Sequence, residues 1–123
     1  MGLDVDAAGW TGECARWSYS GFHRFRVRVA RLAGIDLDTM ETYSGESPWS
    51  GVNDALKPLL HHSDCEGELS PDECATVAPR LAELIARMDG AGDTDESYDA
   101  SQGTILVAMM LHCASQRTPL VFS

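Results

Sequence analysis

A chain of 123 residues has the size of one domain, and on folding it buries roughly two-thirds of the surface its unfolded form exposes, enough for a core without staples. Apolar residues make up 44 % and charged residues 23 %, which excludes a disordered chain; the longest apolar run, Ile105 to Leu111, is far too short to span a bilayer. The net charge of −10 is unevenly placed, with +2 on residues 1–35 and −12 on residues 36–123, so direct nucleic-acid and anionic-membrane binding are not expected.

Residues 1–17 combine three glycines, scattered acids and two tryptophans without a clear period, and are read as an irregular arm pinned by Trp10 and Trp17. The start Met-Gly-Leu-Asp-Val-Asp has no basic region, and Asp6 stands where an acylation signal takes Ser or Thr; neither export nor a lipid anchor is expected. A first helix starts at Ser18 or Ser20, either of which can cap it. It carries Phe22, Phe25, Val29 and Leu32 at helical spacing, sets Arg24, Arg28 and Arg31 on the other side, and ends at Gly34.

Between Ile35 and Gly51 the signals conflict. Asp38 and Glu41 fit a capping box, while Ile35, Leu37 and Tyr43 fit a two-residue alternation, so a short helix at best is expected before a turn-rich connection plugged by Trp49. Val52, Leu56, Leu59 and Leu60 share a face and predict a second helix over 52–62, kinked or split by Pro58.

An acidic loop over 63–69 leads to Ser70-Pro-Asp-Glu73, an N-cap with proline at the first helical position and glutamate at the third, the strongest local signal in the chain. The helix it opens carries Cys74, Val77, Leu81, Leu84, Ile85 and Met88 on one side. Pro79 predicts a joint between two shorter helices, and Gly90 and Gly92 end the segment. Asp93 to Asp99 reads as a solvated acidic linker, with Asp99 and Gln102 boxing the start of a last helix over 100–117. That helix is apolar nearly all round, which predicts either a central position or a face shared with another chain. Leu120 and Phe122 are expected to fold back onto the core.

Most groups capable of chemistry fall between His61 and Cys74. Numbered as a calcium loop from Asp64, the segment places Glu66, Glu68 and Asp72 at liganding positions, but Leu69 replaces the turn glycine and Ala75 the bidentate glutamate. A zinc site would draw on His61 or His62 with Cys65 and Cys74, completed by His112 or Cys113. The spacing matches no close-paired knuckle, and Cys74 and Cys113 lie on apolar stripes where cysteine acts as a small hydrophobe. His61, four residues before Cys65, is a thin basis for a nucleophilic thiol, and no phosphate loop or serine elbow is present. The four cysteines could pair three ways in an oxidising compartment; without an export signal they are read as thiols. The arginine row can meet an acidic partner or pair with the chain's own acids.

The string Trp17-Ser-Tyr-Ser-Gly-Phe-His-Arg-Phe-Arg26, the block His62-Ser-Asp-Cys-Glu-Gly-Glu-Leu-Ser-Pro-Asp-Glu-Cys74 with Ala78-Pro-Arg-Leu81, and the ending Pro-Leu-Val-Phe122 resemble a family of small uncharacterised proteins of actinobacteria and their phages. The resemblance spans most of the chain from Trp17 onward. It implies a cytoplasmic or phage-related setting and transfers no catalytic or binding role.

The sequence therefore predicts one all-α domain over 1–123, an irregular arm over 1–17 and a body of about four helices over 18–123, with a helix–loop–helix around 52–88. The expected function is a cytoplasmic protein–protein interaction module, with Arg24, Arg28, Arg31, Asp64, Glu66 and Glu68 as candidate contacts and no catalytic residue or cofactor assigned. Self-association through the last helix is one further expectation. The rival reading is a metal-binding domain or small metal-dependent enzyme over 61–74, with His61, His62, Asp64, Cys65 and Cys74 as the candidate ligands.

Overall fold

In the computed structural model, the described residues are 2–37, 40, 54–60, 67–88 and 94–123, with side chains of the last helix described from residue 97. The elements run β1 (Gly2–Ala7), β2 (Arg16–Ser18), α1 (Tyr19–Leu32), α2 (Lys57–Leu60), β3 (Gly67–Leu69), α3 (Pro71–Ile85), α4 (Thr94–Gln116) and β4 (Leu120–Phe122). The four strands form one antiparallel sheet in the order β2-β1-β4-β3. The all-α expectation is thus corrected to a mixed α/β architecture.

The physical basis of the sheet is a two-residue alternation. In β1, Leu3 and Val5 are fully buried while Asp4 and Asp6 face solvent; Trp17, Leu69, Leu120 and Phe122 are the inward residues of the other strands. One face of the sheet therefore closes on the helices and the other is wet. Pairing of Val5 with Phe122 and of Leu69 with Leu120 makes the C-terminal segment the inner strand between β1 and β3. The reciprocal bonds between Asp4 and Ser123, at 2.8 and 2.9 Å, extend that ladder. Residues 1–17, read as irregular, thus supply one whole strand and part of a second.

Local signals placed α1 and α3 well. Ser18 caps α1 by accepting from the Gly21 amide at 3.0 Å. Past the C-cap Ala33, Gly34 takes φ +82°, a left-handed conformation that glycine adopts without a Cβ penalty. At α3 the capping box is complete: Ser70 Oγ accepts from the Glu73 amide at 3.1 Å, and Glu73 Oε1 accepts from the Ser70 amide at 2.8 Å.

Several element boundaries need correction. α3 runs unbroken through Pro79 rather than splitting there. Pro79 and Ala75 both lie on the exposed side, where water can take over the carbonyl that proline leaves unbonded. The second helix is a single turn, Lys57–Leu60, preceded by a turn in which Asp54 accepts from the Leu56 amide at 3.0 Å. The last helix starts at Thr94, so residues 94–99 are helical rather than a linker, and Asp99 is a buried helical residue, not a cap. Trp49, Gly90 and Gly92 lie outside the described residues.

The core joins α1, α3 and α4, as the helical stripes predicted, with the inner sheet face added. Trp17 is its hub, with ring centroids 5.4 Å from Phe22 and 4.6 Å from Phe25. Each such ring contributes roughly 1.5–3 kcal/mol by leaving water. Gly103 lets α4 come close: a Cβ there would stand 2.7 Å from Ile85 Cδ1 and 3.1 Å from Phe25 Cε1.

Candidate functional site

Arg24, Arg28 and Arg31 recur at i, i+4 and i+7 on α1, and the structure divides them. Arg28 turns toward α4, where its Nε donates to Asp99 Oδ2 at 3.1 Å; the other carboxylate oxygen accepts from Trp17 Nε1, also at 3.1 Å. Asp99 is buried, so this is an internal anchor joining β2, α1 and α4. Arg24 and Arg31 remain exposed on the helix, seven residues and about 10.5 Å apart along its axis.

The other arginines are committed within the fold. Arg16 pairs with Asp4, Arg80 with Asp54 and Glu83, Arg87 with Glu83, and Arg117 with Asp72, all at 2.7–3.0 Å. Arg26 is fully buried, its guanidinium 4.8 Å above the Phe22 ring. Among the described residues, Arg24, Arg31 and Lys57 have no ion pair, although the chain holds 19 carboxylates against nine cations.

A cleft of about 310 Å³ opens beside Arg31, lined by Val27, Gly34, Ile35, Asp36 and Leu37. It exists because the chain reverses at Gly34 and the Ile35 amide bonds back to the Ala30 carbonyl at 2.8 Å, which holds Ile35 to Leu37 against the end of the helix. Apolar side chains thus meet the Arg31 guanidinium and the Asp36 carboxylate, a geometry that admits a greasy side chain with an acidic neighbour on the Arg31 side.

Of the other predicted site residues, only Glu68 and Cys74 are described, and they lie on different elements. His61, His62, Asp64, Cys65 and Glu66 lie outside the described residues. Glu68 projects from the solvent face of β3, opposite Val121, which in turn pairs with Asp6. Cys74 is fully buried, its thiol 3.9 Å from the Leu69 carbonyl and in contact with Cys113. Burial, followed by the neighbouring Cys113, pushes the Cys74 thiol up to about 12, and burial raises Cys113 as well. Thiols held so firmly protonated are core side chains rather than ready thiolate ligands. His112 donates from Nε2 to the Ala8 carbonyl at 2.8 Å and stands edge-on to Trp10, away from that pair. Among the described residues, no three His, Cys, Asp or Glu side chains gather to hold a metal ion.

A second recess, about 410 Å³, holds Cys14 with Glu13, Arg16, Tyr98 and Gln102. Three of its polar residues serve the fold: the Tyr98 hydroxyl donates to the Arg16 carbonyl at 2.6 Å, and the Arg16 amide donates to Gln102 Oε1 at 2.9 Å. Helical spacing found the arginine row but not the role of Asp99, which fitted a cap, nor the Ile35–Leu37 wall, whose two-residue alternation competed with a capping-box signal.

Among the described residues no helix is long and apolar enough to cross a membrane. No family model, curated protein or solved structure matched the chain.

Proposed function

We propose that this chain is a protein–protein interaction module whose docking surface is the exposed arginine side of α1 with the cleft at its end. The partner presents an acidic segment: two carboxylates about 10 Å apart meet Arg24 and Arg31, and an apolar side chain enters the cleft floored by Val27, Ile35 and Leu37. One observation carries this reading. In a chain with twice as many acids as bases, two exposed arginines on one helix side have no carboxylate among the described residues, whereas Arg28 between them has one. Exposed guanidinium groups with no carboxylate partner among the described residues are suited to charge supplied from outside.

The setting we infer is cytoplasmic, in line with the phage-related resemblance. Cys74 and Cys113 touch yet are free thiols, as a reducing compartment would keep them.

An array of synthetic peptides, each pairing Glu or Asp with a Leu or Phe, tests the reading. Acidic, apolar-anchored peptides are expected to bind, with affinity falling as NaCl rises. Combined Arg24→Glu and Arg31→Glu substitution is expected to weaken binding at least about tenfold, a loss of about 1.4 kcal/mol. Binding that ignores both substitutions, or an array with no acidic preference, overturns it.

A further inference from the structure

From Ser97 to Gln116 the chain holds a single Asp, Glu, Lys or Arg, the buried Asp99, although 23 % of all residues are charged. The exposed surface of α4 is therefore neutral over about 30 Å of helix. Its outward positions, Thr104, Ala108, Leu111 and Ser115, are exposed, and Leu111 keeps 52 % of its surface in water. Alongside runs the exposed border of α3, with Ala75, Pro79, Ala82 and Ala86. Between the two helices lies an apolar groove of about 250 Å³ lined by Ala82, Ile85, Ala86, Thr104 and Val107. On the solvent side of α3, Glu83 is matched with Arg80 and Arg87 and Asp72 with Arg117, while the Glu73 carboxylate is taken up by the Ser70 amide of the capping box.

We propose that this neutral face binds a second copy of the chain, with Leu111 of each copy entering the groove of the other. The proposal does not depend on the arginine surface of α1. Charge favours this occupant: two copies each carrying −10 repel across any acidic surface, and a face free of net charge is where they can approach. The shape is self-complementary as well. Val107 and Leu111 stand about 6 Å apart along α4, so a two-fold axis between them sets each Leu111 against the other copy's Val107 and groove. Two adjoining helices present a face about 30 Å by about 20 Å, about 600 Å², at the lower end of the roughly 600–1,000 Å² that each partner contributes to a stable interface.

Sedimentation equilibrium of the full chain, from about 5 to about 500 µM, tests this. The expected mass rises from 13.3 kDa towards twice that value, and association holds or strengthens from about 0.05 to about 0.5 M NaCl because salt screens the repulsion. Leu111→Glu and, separately, Ala82→Arg are each expected to weaken association on the order of 100-fold. Both positions are exposed, so the melting temperature read at the dilute, monomeric end of the range should stay put. Arg24→Glu should leave the dimer intact. A constant 13.3 kDa mass across the range, or a dimer that survives both substitutions, overturns the proposal. So does a monomer that floats with phosphatidylcholine vesicles, an outcome that gives the face to lipid.

Discussion

The indole nitrogen of Trp17 and the carboxylate of Asp99 meet at 3.1 Å across 82 residues of sequence, and Arg28 holds the other carboxylate oxygen at the same distance. Asp99→Ala removes the acceptor that both donors share, inside the core. A stability loss of about 2–3 kcal/mol is expected, and about half of that for Asp99→Asn, which keeps an oxygen for the indole. Urea unfolding checks the order; losses under about 0.5 kcal/mol for both variants would remove Asp99 from its anchoring role.

Acid should act through Asp54. Burial pushes its carboxyl up, but hydrogen bonds from Arg80 at 3.0–3.3 Å, the Leu56 amide and the Arg80 charge outweigh it and hold the carboxyl below the ordinary aspartate range. The unfolded chain therefore takes up this proton more readily than the native one. The Asp54–Arg80 contribution is fully present above the unfolded value of about 4 and fades as pH falls through the lower folded value. Melting temperatures of wild type and Asp54→Asn should differ at pH 6, and the gap should shrink as pH falls below about 4. A gap that persists in acid would show that the charge is not what holds this turn to α3.

β4 offers a contrast within three residues. Phe122 is buried, pairs with Val5 and Gly67 across two strands, and has its ring centroid 5.8 Å from that of Phe22. Val121 faces solvent. Phe122→Ala is expected to cost about 3–5 kcal/mol and Val121→Thr no more than about 0.5 kcal/mol. Equal effects in thermal unfolding would contradict the alternation that defines the sheet.

Legibility of the fold followed the range of the forces involved. Ser18, Gly34 and the Ser70–Glu73 box mark helix ends through bonds spanning three or four residues, and a reader of the chain can find them. The Leu3–Val5 alternation against Asp4 and Asp6 was equally present, but the nearby glycines and tryptophans masked it. Strands of three residues such as Gly67–Leu69 hold barely one period, so β2, β3 and β4 had no comparable signature.

By itself, the sequence determined the helical stripes, the cap at α3, the inward fold of Leu120 and Phe122, and the three arginines of α1, because each rests on local spacing and burial. Tertiary structure alone decided that the two ends of the chain pair as neighbouring strands and that Asp99 claims Arg28 and not Arg24 or Arg31. Backbone ladders and buried ion pairs take their partners from distance in space, and Val5 and Phe122 stand 117 positions apart along the chain.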